Sequence, residues 1–156
     1  MRILGIDPGT GILGFGVIDV IKGKPSLVDA GVIRTSSKEG DAERLQTIFE
    51  ELTSIIAETK PTEMSVEKLF FAQNVTTAMT VSQARGVVLL AGKQAGLNIH
   101  EYTPLQIKQA LTGYGRAEKR QIQEMVRVIL QLKEIPKPDD CADALAAAIT
   151  HSMTVR

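Results

Sequence analysis

The sequence predicts an α/β fold, because apolar segments of strand length alternate with longer amphipathic segments of helix length. The clearest strand signal is the N-terminal stretch MRILGIDPGTGILGFGVIDV, where a short Asp-Pro-Gly-Thr turn separates two apolar runs. The clearest helix signal is residues 41–60, where apolar and acidic side chains take opposite faces. With 156 residues and 44% apolar content, the chain can bury one core, and we expect a single domain over residues 1–156.

Five segments are predicted as strands. Three come first and are joined by short turns, which favours an antiparallel meander, whereas the other two each follow a helix. The five are residues 3–6, 12–20, 27–33, 64–71 and 97–102.

Five further segments are predicted as helices, at residues 41–60, 74–95, 104–111, 117–132 and from residue 139 onward. The second of these, N-capped by Asn74, carries apolar and small side chains on more than one face. Such a helix is either central in the domain or shared with a partner. We favour a homodimer seam and keep a central buried helix as the alternative.

Several classes of protein are not favoured by the composition. The N-terminus lacks a signal-peptide pattern and no apolar run is long enough to span a bilayer, so we expect a soluble cytoplasmic protein. The single cysteine, Cys141, excludes an internal disulfide. Because His100 and His151 are the only histidines, a Cys/His zinc site is not favoured, and any metal should have oxygen ligands.

The charges are segregated along the chain although the formal net charge is zero. Overall neutrality argues weakly against a nucleic-acid binder. Residues 104–137, however, carry seven basic and three acidic side chains, whereas residues 38–63 carry three basic and seven acidic ones. The basic segment is either a solvated helix face or a local phosphate-binding face. Its candidates for phosphate contact include Lys108, Arg116 and Lys119.

Four carboxylates stand out by their positions. Asp7 ends a buried strand, where a carboxylate is costly unless it is paired or metal-bound, although a simple tight turn is the alternative. Glu67 interrupts a second apolar run, and its alternative is a solvent-facing strand residue. Asp140 and Asp143 are three residues apart near a helix start, hence on one face, although a cap would also explain Asp140. The alanine-rich turns that follow allow this helix to approach the sheet closely.

If these four carboxylates meet, they repel one another and raise each other's pKa unless divalent cations neutralise them. Hard oxygen ligands suit Mg²⁺ or Mn²⁺. Two such ions, roughly 4 Å apart, can activate a water and stabilise the leaving oxygen of a phosphodiester displacement. No activated Ser, Cys or His nucleophile is then required.

Several motifs give the chain a specific resemblance. They are GIDPGTGILGFGVI, VEKLF, QARGV, QIKQ, AEK and ADALA, in order from residue 3 to about residue 151. Together they resemble the RuvC Holliday-junction resolvases. The resemblance implies an RNase H-like fold with a five-stranded mixed sheet flanked by helices on both faces. It also implies a two-fold homodimer that hydrolyses one phosphodiester in each of two opposed strands of a four-way DNA junction, with RuvA and RuvB as partners.

The resemblance also assigns roles to individual residues. Asp139 becomes an extra neighbour of the metal ligands, a choice made from the Asp-x-x-Asp spacing. The implied metal ligands are Asp7, Glu67, Asp140 and Asp143, the implied junction-contacting lysines are Lys108 and Lys119, and the implied junction-stacking aromatic is Phe70.

Three alternatives remain open at this point. An ATP-handling protein of the actin and sugar-kinase type shares a Gly-Ile-Asp-x-Gly-Thr loop, but 156 residues leave no room for its second domain. Another RNase H-like nuclease, acting on RNA or replication intermediates, would share the roles of Asp7 and Glu67. A catalytically silent junction-binding module would use the carboxylates only as caps and surface charges.

Overall fold

The computed structural model describes residues 1–68 and 75–155. These residues form the strands β1 (Arg2–Asp7), β2 (Ile12–Ile21), β3 (Lys24–Arg34), β4 (Glu63–Glu67) and β5 (Asn98–Tyr102). They also form the helices α1 (Asp41–Thr59), α2 (Val75–Gln94), α3 (Pro104–Thr112), α4 (Lys119–Ile129) and α5 (Asp139–Thr154). Within the described ranges, no helix combines the length and apolar character needed to cross a bilayer.

The five strands form one mixed sheet in the order β3-β2-β1-β4-β5. The first three strands pair antiparallel, as the predicted meander requires, and β1, β4 and β5 pair in parallel. The predicted five-stranded mixed sheet is therefore confirmed. In the parallel pair, Ile6 lies opposite Val66, so β1 and β4 end side by side at one edge of the sheet.

Both faces of the sheet are covered by helices. On one face, Leu4 and Met64 are fully buried in a cluster that includes Ile48 and Leu52 of α1 and residues of α2. On the other, Ile3 belongs to a cluster with α3, α4 and α5. Alternate residues of β1 thus belong to two separate apolar layers, because successive side chains of a strand point to opposite faces of the sheet.

Helix α5 lies directly against the backbone of β1 and β2. A Cβ on Gly5 would be 2.0 Å from the carbonyl oxygen of Ala144, and a Cβ on Gly14 would be 2.0 Å from that of Asp140. Only glycine permits this approach. The alanines of α5 have small side chains, so the helix backbone can lie close to the sheet. The predicted close docking of this helix on the sheet is confirmed.

Helix α4 begins at Lys119, two residues later than predicted. The backbone N–H of Glu118 donates to Oε1 of Gln121 at 2.6 Å, which places Glu118 at the N-cap. The helix ends at Ile129, earlier than the predicted residue 132, and Gln131 follows with φ of +55°. At α3, by contrast, Thr103 and Gln106 form a complete capping box, and Oγ1 of Thr103 accepts from the backbone N–H of Gln106.

Helix α2 buries one side and exposes the other. Ala84, Val88 and Ala91 are buried, while Met79 is 60% exposed and Leu90 is 51% exposed. The alternative of a helix buried on all sides is therefore wrong. The predicted cap Asn74, the end of the predicted strand at 64–71 and Phe70 lie outside the described residues.

Candidate active site

Three elements bring the predicted carboxylates to the same edge of the sheet. Asp7 is the last residue of β1 and Glu67 is the last residue of β4. Gly14 pairs with Asp7 in the β1–β2 ladder, and the carbonyl of Asp140 contacts that same glycine. The first turns of α5, which carry Asp140 and Asp143, therefore lie over the ends of the two strands.

Asp7 is the most perturbed group at this edge. Burial is the largest cause that raises its pKa, followed by repulsion from Glu67 and Asp143, and together they raise the pKa of Asp7 to about 9. Asp7 and Glu67 also share a side-chain hydrogen bond. Because a carboxyl with this pKa is protonated at neutral pH, Asp7 is the donor and the Glu67 carboxylate is the acceptor.

The other carboxylates respond to the same surroundings. Burial, with repulsion from Asp143, raises the pKa of Glu67 above its usual value, although Asp7, Lys119 and Lys108 oppose the change. Burial also raises the pKa of Asp143, against the opposing charge of Lys119. Three half-buried carboxyls with raised pKa values form a site whose negative charge is only partly compensated by the protein.

The four carboxylates lie at the same edge of the sheet, but they do not form a compact group of ligands. In the described ranges, the donor atoms of Asp7, Glu67, Asp140 and Asp143 do not converge within 4.8 Å of one another as a group of three or more. Mutual repulsion of carboxylates is a physical reason for such spacing. The oxygen-only donor set and the raised pKa values fit a hard divalent cation, which needs few protein carboxylates and keeps water and phosphate oxygens as its other ligands.

A cavity of about 280 Å³ opens beside this edge of the sheet. It is lined by Glu67 and Asp143, by Lys108 from α3 and Lys119 from α4, and by apolar side chains such as Ile107. The two predicted lysines are thus brought together with two of the carboxylates. An acidic edge with adjacent ammonium groups can accept a phosphate once a cation balances the carboxylates.

Lys119 joins the basic segment to the carboxylates. Its Nζ lies 3.6 Å from Oδ2 of Asp143 and 3.5 Å from Oδ2 of Asp139. Burial acts to lower the pKa of Lys119, but the two aspartates outweigh it and raise the pKa overall. Asp139 is 60% exposed and pairs with Lys119. Arg116 is exposed in the loop before α4 and does not line the cavity, and Phe70 lies outside the described residues.

Two supporting contacts were missed by the sequence analysis. Thr10, which follows the Asp-Pro-Gly turn, donates through Oγ1 to the carbonyl of Thr80 in α2 at 2.9 Å. Arg85 of α2 donates to Glu101 of β5, and Lys68 Nζ lies 3.9 Å from the same carboxylate. The first contact joins α2 to the turn that follows Asp7. In the second, Glu101 pairs with Arg85 of α2 and with Lys68, the residue after Glu67. The motifs DPGT and QARGV contained these residues without indicating their partners.

A second convergence of potential ligands was also missed. Within residues 1–68 and 75–155, the side chains of Glu63, His100 and His151 form the single group of three whose donor atoms all lie within 4.8 Å of one another. The sequence predicts oxygen ligands for any metal, whereas two of the three potential ligands in this group are imidazole nitrogens.

Comparison with known proteins gives consistent matches. The family model for the crossover junction endodeoxyribonuclease RuvC matches residues 3–151. A curated relative of that name from Heliobacterium modesticaldum is 60% identical over 156 residues, covering 99% of this chain and 96% of the relative. Another, from Brevibacillus brevis, is 58% identical over 152 residues, covering 97% and 92%.

Solved structures agree with these matches. Thermus thermophilus RuvC superposes with a TM-score of 0.93 at 42% identity, over 100% of this chain and 96% of that chain. The same protein in complex with Holliday junction substrate gives a TM-score of 0.95 at 40% identity, over 100% and 95%. The RNase H-like fold implied by the sequence motifs is thereby confirmed. The chain belongs to the RuvC family of crossover junction endodeoxyribonucleases.

Proposed function

We propose that this chain resolves four-way (Holliday) DNA junctions during recombination and repair, by metal-dependent hydrolysis of phosphodiesters in two symmetry-related strands. The observation that carries the proposal is the group of carboxyls with raised pKa values, Asp7, Glu67 and Asp143, beside a cavity that Lys108 and Lys119 line. The T. thermophilus relative that binds a Holliday junction shares the fold over the whole chain.

Asp7, Glu67, Asp140 and Asp143 would hold the metal, which we propose to be Mg²⁺, with Mn²⁺ as a substitute and two ions per site. When bound, the ions would activate a water and stabilise the leaving oxygen. Without the ions, the protein limits the repulsion among these carboxylates by holding a proton on Asp7. Because Asp7 is protonated at neutral pH without a cation, metal binding releases a proton, and cleavage should become more efficient as the pH rises.

The lysines have a separate role in binding. Lys119 pairs with Asp139 and Asp143, so a DNA phosphate that enters the cavity can replace one of these carboxylates as its partner. Lys108 lines the same cavity from α3. Arg116, exposed in the loop before α4, is proposed to contact the junction outside the cavity, and Phe70 is proposed as the aromatic that stacks on the junction. Such phosphate contacts predict that junction binding weakens steeply with salt.

We also propose that the chain works as a homodimer through α2. Val75, Met79 and Leu90 are exposed on this helix, and an added Cβ at Gly86 would meet no atom within 4 Å. These positions recur at helical spacing and form one exposed, largely apolar face. Met79→Glu should therefore shift the sedimentation of the protein to that of the monomer. The control Gln94→Glu, at an exposed position at the helix end, should not. Equal sedimentation of the two variants would contradict a dimer interface on α2.

Two further expectations stand beside these proposals. One is association with a RuvA–RuvB branch-migration complex, and it stays a prediction, as does the cytoplasmic location expected from the sequence.

The deciding experiment is cleavage of a labelled synthetic four-way junction by the wild type and by Asp143→Asn, in Mg²⁺, Mn²⁺ or EDTA. Asp29→Asn, at an exposed position in β3, is the matched control. We expect paired, symmetric nicks from the wild type and the control. The nicks should be lost in EDTA and in Asp143→Asn, while junction binding without metal persists.

Two outcomes would contradict the proposal. Binding without cleavage under every metal would identify a silent junction-binding module. Preferential cleavage of RNA–DNA hybrids or linear duplexes in the same panel would retain the metal site but indicate another RNase H-like nuclease.

A further inference from the structure

A group of three side chains lies at the opposite end of β4 and α5 from the active-site carboxylates. Glu63 begins β4, His100 lies in β5, and His151 is in the last turns of α5. Glu63 precedes Glu67 by four strand residues, about 13 Å. His151 follows Asp143 by eight helical residues, about 12 Å. The group is therefore spatially separate from the site described above.

The donor atoms of this group are spaced like the ligands of one ion. Oε2 of Glu63 lies 3.0 Å from Nε2 of His151 and 3.3 Å from Nε2 of His100. In a tetrahedral site with metal–ligand bonds of about 2.0–2.1 Å, neighbouring ligand atoms are about 3.3 Å apart. Two edges of such a tetrahedron are thus nearly present.

Each of the two inner ligands is held in place by a second hydrogen bond. The Tyr102 hydroxyl lies 2.7 Å from Nδ1 of His151. Nδ2 of Asn98 donates to Oε1 of Glu63 at 3.0 Å. These partners occupy the far atoms of the imidazole and the carboxylate and direct Nε2 and Oε2 toward each other, as outer-sphere partners do at metal sites.

The protonation states suit metal binding. Burial, the largest cause, lowers the pKa of His151 and favours the neutral imidazole. Burial acts to raise the pKa of Glu63, but the hydrogen bonds from Asn98 and His151 outweigh it and lower the pKa overall. A neutral imidazole and an ionised carboxylate are the forms that coordinate a cation.

His100 supplies access to the group from solvent. Its side chain is 42% exposed, whereas that of His151 is fully buried and that of Glu63 is 15% exposed. The His100 ring stacks on His151 with centroids 4.2 Å apart, and its exposure allows it to turn without disturbing the core. An ion could therefore enter past His100 and keep a water as its fourth ligand.

We propose that Glu63, His100 and His151 bind one divalent transition-metal ion of the Zn²⁺ class, which clamps β4, β5 and α5 together. Two imidazole nitrogens and one carboxylate oxygen suit such an ion better than Mg²⁺. The competing arrangement is a hydrogen bond alone, in which His151 donates from Nε2 to Glu63 and accepts from the Tyr102 hydroxyl at Nδ1. With the ion at Nε2, the imidazole proton would lie at Nδ1 and donate to the oxygen of the Tyr102 hydroxyl.

The test is calorimetric titration of the full chain with ZnCl2, using Asp7→Asn/Asp143→Asn protein so that the active-site carboxylates do not compete. We expect one Zn²⁺ per chain, binding that survives excess Mg²⁺, and a rise in melting temperature. Co²⁺ in place of Zn²⁺ should give the intense visible bands of a four-coordinate ion. His100→Ala, at an exposed position, should abolish the binding, and Tyr102→Phe should weaken it about 10–100-fold.

Absence of Zn²⁺ binding in this protein would overturn the proposal and leave the hydrogen-bonded arrangement. Binding of unchanged affinity in His100→Ala would overturn it equally, because the ion would then have other ligands.

Discussion

Replacing Asp7 by Asn should stabilise the metal-free protein. The substitution keeps the shape of the side chain and its ability to donate to Glu67, and it removes the ionisable group. In the native state the pKa of Asp7 is about 9, whereas an aspartate in an unfolded chain has a pKa of about 3.9. The native protein therefore binds a proton that the unfolded chain releases, and its stability falls as the pH rises from about 4 to about 9.

The size of the effect follows from the same pKa difference. At pH 7 the unfolded aspartate is about three pH units above its pKa, and at 1.36 kcal/mol per unit the penalty approaches an upper limit of about 4 kcal/mol. Asp7→Asn avoids this penalty. For a chain of this size each kcal/mol changes the melting temperature by about 2–4 °C, so we expect an increase of several degrees in EDTA at neutral pH.

The assay is thermal unfolding in EDTA between pH 5 and pH 9, with Asp29→Asn as the control. The wild type and the control should lose stability as the pH rises, and Asp7→Asn should show a flatter profile. Mg²⁺ should then narrow the difference, because a ligand at 100 times its Kd adds about 2.7 kcal/mol to the wild type and far less to the variant. Parallel pH profiles of wild type and Asp7→Asn, or equal responses to Mg²⁺, would refute the reasoning.

Three further predictions concern the surroundings of the site. Gly14→Ala places a Cβ 2.0 Å from the Asp140 carbonyl oxygen, so it should abolish junction cleavage and reduce the free energy of unfolding by about 1–3 kcal/mol in urea. Ser65→Ala removes a buried 2.6 Å hydrogen bond to an α5 carbonyl and should lower the same free energy by about 1–3 kcal/mol. Lys119→Gln removes the charge that opposes the raised pKa of Asp143, so the acid limb of the cleavage–pH profile should move to higher pH.

Much of the fold follows from local patterns in the sequence. The runs beside the Asp-Pro-Gly turn predicted β1 and β2, because apolar periodicity and turn chemistry agree there. The same reasoning predicted that α5 packs closely on the sheet, since glycines in strands and alanines in a helix allow backbone contact. Asp7 is a candidate because it ends a buried strand, and Glu67 is a candidate because it interrupts an apolar run.

The second group of ligands could not be predicted in this way. His100 lies opposite Ser65 in the β4–β5 register, and Ser65 contacts α5. Glu63, two residues before Ser65, shares its face of the strand. This register depends on the packing of the whole sheet and leaves no signal in the local sequence. Two histidines that are distant in the sequence therefore do not indicate a metal site.

The two faces of the sheet should differ in their tolerance to mutation. Toward α1 and α2 the contact is made by side chains such as Leu4, Ile48 and Leu52, where neighbouring residues can exchange volume and a core can be repacked. Toward α5 the contact is made by backbone atoms at Gly5 and Gly14, which no neighbouring change can move aside. Evolutionary drift and laboratory stabilisation should therefore concentrate in the α1–α2 layer, and a saturation mutagenesis library should be depleted of nearly every substitution at these two glycines.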